Sequence, residues 1–248
     1  MAYFNIFLVS LFIVLQQSGT FKTEQKKNAK VKQAYIDKEK AVTDTLAKYG
    51  ITTGKVHIFI RVFKNDKILE VWARNKEDKI YKKVRTFEIC ASSGELGPKR
   101  MEGDYQVPEG FYHINHFNPF SNYYLSMGVS YPNESDRKLG EKGKLGGAIY
   151  IHGSCCTIGC IPITDDCIKE LYIYGVEAKN NGQTNIPLHI FPFHLDGENW
   201  DNFETKFPEL KKHVDFWKNL QPGYQYFEKN KTVPKVTVAS DGKYVIQS

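Results

Sequence analysis

Six short runs rich in β-branched and aromatic residues, separated by Gly, Pro, Asn and Asp, set the limits on how this chain folds. Lys55 to Phe63 (KVHIFIRVF) alternates and predicts a strand, and Asn65-Asp66-Lys67 turns the chain into a hairpin partner over Ile68 to Ala73. Further strands are predicted at Val84 to Ala91, Phe111 to Ile114, Gly147 to His152 and Ile186 to Phe193. Gly94 to Gly110, with four Gly and two Pro, reads as a long loop. One helix interrupts the series. Thr164 supplies a capping hydroxyl, Asp165 and Asp166 favour the positive end of the dipole, and the helix is predicted to run to Lys179 before Asn181-Gly182. Residues 55–195 therefore read as a mostly β domain with at least one helix, an α+β arrangement.

The flanks have a different periodicity. From Glu24 to Tyr49, Val31, Tyr35, Val42, Leu46 and Tyr49 recur at helical spacings, and Gly50 follows where a helix favours a left-handed residue. Near the other end, Pro208 suits a first helical turn, and Leu210, Val214, Trp217 and Leu220 form one apolar stripe that is predicted to stop at Pro222-Gly223. Val236 to Ala239 and Lys243 to Ile246, joined through Asp241-Gly242, predict a closing hairpin. With 248 residues the chain has room for one large domain or one domain with an appendage. The expected division is a leader over 1–19, a basic helix over 20–50, a main domain over 51–195 and an extension packed on it over 196–248.

Composition narrows the class further. Hydrophobic residues at 41% and charged residues at 25% exclude disordered and fibrous chains. Phe4 to Leu15 (FNIFLVSLFIVL) is the one long apolar run; it is too short to span a bilayer but suits the core of a secretory signal, with a polar exit at Gln16-Gln17-Ser18-Gly19. Export is the expectation, with no stable membrane span. Of the net charge of +6, the segment from Lys22 to Lys40 supplies +4, so the body is nearly balanced. That pattern argues against nucleic acid as a partner, since such binders spread a basic face over the main domain.

Four of five cysteines, Cys155, Cys156, Cys160 and Cys167, fall within thirteen residues, just after His152, in the stretch IHGSCCTIGCIPITDD. Three explanations are open. Zinc would use tetrahedral N/S ligands, but no C-x-x-C pair is present. Disulfides suit an exported protein. The odd count leaves at least one thiol free; adjacent Cys155 and Cys156 bridge each other only with strain, and a bridge from one of them to Cys90 or Cys167 is open. The third explanation is a cysteine nucleophile with a histidine base: His152 ends an apolar strand, and Gly159 beside Cys160 allows close approach of a substrate and frees amides to face an oxyanion.

His152-Gly153 followed by Thr157-Ile158-Gly159-Cys160 resembles the signature of the L,D-transpeptidase catalytic domain (YkuD type). The resemblance extends to Gly97-Pro98-Lys99-Arg100-Met101-Glu102-Gly103-Asp104, to Val107-Pro108-Glu109-Gly110-Phe111-Tyr112, to Ser130-Tyr131-Pro132-Asn133 and to Phe216-Trp217 with Gly223-Tyr224 and Phe227-Glu228. It covers about residues 55 to 240 and is similar to the murein-acting branch with a short His-to-Cys interval. Two positions depart from the wider family: Ile158 stands where a second His precedes Gly-Cys, and Pro162 where an Arg or Asn follows.

The resemblance implies a β-sandwich or barrel core with flanking helices and a C-terminal helical extension. It implies a peptidoglycan stem peptide as substrate and a thioester on Cys160, resolved by an amine (transpeptidation) or by water (hydrolysis). A wall-linked protein is a further substrate under it, and a module of the same fold that binds the wall without turnover is the remaining alternative. Under it His152 is the proton donor and acceptor, the Gly153 carbonyl orients the ring, Gly159 and Thr157 serve the oxyanion and pocket, and neither metal nor cofactor takes part. A periplasmic or cell-envelope location follows from the substrate.

Overall fold

A computed structural model describes residues 20–202, 205 and 208–247; the expected leader over 1–19 lies outside them. Thr20 caps a short helix α1 (Phe21–Gln25), and the Asn28 side chain accepts from Lys30 N to start α2 (Ala29–Lys48). The single predicted N-terminal helix is thus two, broken where Asn28 competes for backbone donors. Val31, Ala34, Tyr35, Val42 and Leu46 form the buried stripe of α2, which lies on helix α4 (Asp165–Asn180). Burial of each large side chain contributes about 1.5–3 kcal/mol relative to exposure. Thr164 caps α4 as its sequence predicts, accepting from Cys167 N. Helix α4 is buried nearly all round because α2 covers one side and the sheet the other.

The sheet has eight strands: β1 (Val56–Phe63), β2 (Ile68–Asn75), β3 (Lys82–Glu88), β4 (Gly110–Asn118), β5 (Ser126–Val129), β6 (Tyr150–His152), β7 (Ile161–Pro162) and β8 (Ile186–Phe191). Their spatial order is β3-β2-β1-β8-β4-β5-β6-β7. The β1/β8 and β6/β7 pairs are parallel and the other neighbours antiparallel. The sheet curls so far that its two ends meet: Cys90, just past β3, donates its amide to Pro162 O in β7. This curled half-barrel with helices on its faces is the α+β core that the sequence predicts.

Strand β1 shows why the sheet is covered on both sides. Ile58, Ile60 and Val62 belong to the cluster shared with α2 and α4, while Phe59 and Phe63 point to the opposite face. That second face is covered by a 3-10 turn (Pro208–His213), helix α6 (Val214–Asn230) and the hairpin β9 (Lys235–Val238) with β10 (Tyr244–Gln247); a short helix α5 (Gly197–Asp201) precedes them. Helix α6 does not stop at Pro222-Gly223 but continues to Asn230. Pro222 forfeits one backbone hydrogen bond, and the burial of Leu220, Tyr224 and Phe227 on either side of it outweighs that loss. Arg61 is buried on this face, paired with Glu70 at 2.8 Å and held over the rings of Phe63, Trp72 and Phe227.

Helix α3 (Glu134–Leu139) fixes the loop over 94–110 to the sheet. Asp136 closes a capping box with Asn133, accepts from the Tyr112 hydroxyl at 3.0 Å and meets Arg100 Nη1 at 3.2 Å. Burial outweighs these partners and raises its pKa from 3.8 to about 6. A carboxyl with a raised folded pKa adds stability below its unfolded pKa, and that contribution disappears as pH rises through about 6. The shift is worth ~3 kcal/mol. Asp136→Asn is therefore expected to flatten the pH dependence of stability between pH ~4 and ~6, as read by urea unfolding; an unchanged slope would show that Asp136 does not titrate there.

Candidate active site

Strand β6 ends at His152, and the chain loops through residues 153–160 before re-entering the sheet as β7, in parallel register (Ile151 with Ile161, His152 with Pro162). Nδ1 of His152 lies 2.5 Å from Gly153 O. A carbonyl only accepts, so Nδ1 carries the proton and Nε2 is the acceptor nitrogen. The Tyr123 ring lies against the imidazole, with centroids 4.7 Å apart. His152 is buried, which lowers its pKa below the usual imidazole value, against a raising contribution from the Gly153 carbonyl. Gly153 is required by close approach: a Cβ there would lie 2.5 Å from Asp165 Oδ1. That same Asp165 oxygen accepts from Ser154 N at 2.8 Å, tying the loop to the first turn of α4.

Cys160 closes the loop. Its thiol, half-buried, lies 3.6 Å from Ala148 O. Burial raises the thiol pKa, opposed by the Tyr150 amide. His152 and Cys160 line one cavity of about 360 Å³, with Asn118, Phe120, Tyr123 and Ile158. No hydrogen bond joins the two side chains in this structure, since the thiol faces Ala148 O; such contacts are often long before a substrate binds. Gly159 has φ +132, a backbone state that side chains strain.

Thr157 is the hub of the loop: its Oγ1 accepts from Gly159 N at 3.1 Å and from Cys160 N at 2.7 Å, and donates to Cys160 O at 2.8 Å. The amides of Gly159 and Cys160, which the sequence assigns to an oxyanion, both donate to Thr157 Oγ1 in this structure. The cysteine pairing left open by the sequence is Cys90–Cys155; Cys156, Cys160 and Cys167 are free thiols. Among the described residues no group of three or more His, Cys, Asp or Glu is placed to hold a metal, and no helix is long and apolar enough to cross a membrane. Sequence reasoning missed Tyr123 and the tethering role of Asp165. Neither carries a local signal, because each reaches the site through the fold.

The family model of the L,D-transpeptidase catalytic domain (YkuD) matches residues 57–179. The chain is 36% identical over 191 residues, covering 76% of its length and 73% of the relative, to the Escherichia coli K12 protein named "Putative L,D-transpeptidase YafK". Among solved structures, a variant of the helical cell shape determining protein Pgp2 from Campylobacter jejuni matches at 22% identity and TM-score 0.45, over 73% of this chain and 64% of that one. Bd1075 of Bdellovibrio bacteriovorus matches at 20% identity and TM-score 0.40, over 79% of each chain. The match to the family model and the extent of the YafK similarity make this chain a member of the L,D-transpeptidase catalytic domain family.

Proposed function

We propose that this protein is a cysteine-dependent peptidoglycan L,D-transpeptidase that acts on stem peptides through a thioester on Cys160, in remodelling of the cell wall. The observation that carries the reading is the shared cavity of Cys160 and His152, with the Nδ1 side of the imidazole held on the Gly153 carbonyl. The thiol swings from Ala148 O, His152 Nε2 takes its proton, and Sγ attacks the carbonyl on the L-centre of the stem-peptide diamino acid. When the C–N bond breaks, Nε2 returns the proton to the departing amine and the acyl group remains on sulfur. An incoming amine resolves the thioester by the reverse path, and water in its place makes the same site a hydrolase. A D-amino acid or a wall-linked protein is the leaving group. Gly153 orients the imidazole and Thr157 shapes the loop.

The reading requires export to the periplasm or cell envelope, with residues 1–19 as the signal. It assigns the chemistry to residues 51–195, with 20–50 and 196–248 as accompanying segments. Mass spectrometry of tetrapeptide muropeptides, with and without an added D-amino acid, tests it. Wild type is expected to release the terminal D-alanine and Cys160→Ala to release none. Exchange of the added D-amino acid would identify transpeptidation, and loss alone hydrolysis. Release undiminished in Cys160→Ala would overturn the thioester.

A further inference from the structure

Two residues of the His152 cavity, Asn118 and Phe120, also border a larger cavity of about 660 Å³. Its walls are residues 116–120, at and just past the end of β4, and residues 24–29, where α1 passes into α2. The second wall precedes the residues 57–179 that match the family model, so this groove is built partly outside the family domain. Phe117 lines it with its ring seated against Phe21 and Tyr172, centroids 5.3 and 5.2 Å away. Three half-buried carboxamides in the lining have their oxygens committed to the protein. Asn28 Oδ1 accepts from Lys30 N at 2.9 Å, Asn118 Oδ1 from Phe120 N at 3.0 Å, and Gln25 Oε1 from the Tyr172 hydroxyl at 2.6 Å. Each leaves an NH2 group with no hydrogen-bond partner among the described residues. The Phe120 ring, 79% exposed, stands on a braced turn: besides its own amide bond, Tyr123 N donates to Ser121 Oγ at 3.1 Å and Lys30 Nζ to Ser121 O at 2.8 Å. A lone exposed ring is ordinary. One fixed between two cavities, beside three anchored amide donors, is a preorganised binding surface.

We infer that this groove binds a glycan strand made of N-acetylated amino sugars. The inference rests on the wall-substrate reading above. Glu24 and Lys27 in the lining pair with each other at 2.7 Å, which leaves neither charge for a ligand. Neutral NH2 donors beside an aromatic ring suit a neutral, oxygen-rich ligand better than a phosphate or an acidic peptide, which call for free cations. An N-acetylated amino sugar presents acetamido and hydroxyl oxygens to the amides of Gln25, Asn28 and Asn118, and the C–H face of its ring to Phe120. The volume lies within the ~300–1,000 Å³ of ordinary ligand sites. Because Asn118 and Phe120 belong to both cavities, a strand held here lies beside the cavity of Cys160 and His152. The N-terminal segment thereby supplies one wall of a strand-binding groove.

Calorimetry on the full chain tests this with two peptide-free probes: chitotetraose, a β-1,4 tetramer of N-acetylglucosamine, and cellotetraose, which lacks the acetamido groups. Chitotetraose is expected to bind with a Kd of ~0.1–1 mM and cellotetraose about tenfold more weakly. Phe120→Ala is expected to weaken chitotetraose about tenfold. Gln25→Glu combined with Asn28→Asp keeps both inward bonds while removing two NH2 groups, and is expected to weaken it by a similar factor. Both proteins are expected to keep the wild-type melting temperature, since no packed core residue changes. No binding of chitotetraose, equal affinity for the two sugars, or an affinity unchanged in either variant would overturn the assignment. Chitotetraose binding by a protein that turns over no muropeptide would retract the acyl-transfer reading and leave the groove in place. Turnover without sugar binding would do the reverse.

Discussion

Replacing His152 with alanine is expected to lower kcat/KM on tetrapeptide muropeptides by about 10²–10⁴-fold, the usual contribution of a positioned general base. The expectation follows from how burial treats the two groups. It holds the Cys160 proton on sulfur above the ordinary thiol range and keeps the imidazole neutral below its own ordinary value. At neutral pH the site therefore rests as thiol and imidazole, and under the proposed function attack needs His152 to take the proton. Acid removes this capacity: kcat/KM is expected to fall as pH drops through the folded pKa of His152, with a midpoint below about 6.5, and to be level above it until the thiol itself titrates. The pH profile of kcat/KM checks this. An acidic limb centred above pH ~7, or a His152→Ala loss under about tenfold, would remove His152 as the base.

Lys64→Met carries the largest expected cost in stability, about 3–5 kcal/mol, because it strands Glu109. That carboxylate is 0% exposed and accepts from Gly97 N at 2.7 Å, Trp217 Nε1 at 2.7 Å and Lys64 Nζ at 2.9 Å. Removing the cation that pairs with it leaves a buried charge with the neutral donors Gly97 N and Trp217 Nε1 and frees two loop carbonyls, Gly97 O and Val107 O, from their shared donor. Glu109→Gln is expected to cost less. Burial already lowers the pKa of Lys64, which is able to shed its proton once the carboxylate is gone. The double variant is expected to recover part of the loss, giving a coupling energy of about 1–3 kcal/mol by urea unfolding. Strict additivity would mean that the pair does not hold the loop.

Where the determinants are local, the sequence was readable. Alternation along β1, the Thr164 cap and Gly50 at the end of α2 act within a turn or two of the chain, and the structure uses each as predicted. Strands β5 and β7 were not readable. Ser126-Met127-Gly128-Val129 is buried at every position and so does not alternate, and β7 is two residues long, paired only through β6. Pro222 misled because a local rule lost to tertiary packing. A motif singles out His152 and Cys160, which the structure places on one cavity, but Cys90 is 65 residues from Cys155 and reaches it only because the sheet curls. The amides of Gly159 and Cys160 look free in a Gly-Cys dipeptide, and only the fold shows that Thr157 engages them.

The sheet order has a kinetic consequence. Strand β8 sits between the half made of β1 to β3 and the half made of β4 to β7, and Ile60 pairs with Leu188 across more than half the chain. The hairpin of β1 and β2 can form as soon as both strands exist, but its ladder to the half that holds His152 waits for residues 186–191. Loop closure on that scale makes folding slow relative to a local meander of equal size. The aliphatic wall contributed by Val62 and Ile89 is then a late arrival beside Cys160, so a nascent chain acquires its thiol well before the half-barrel closes around it.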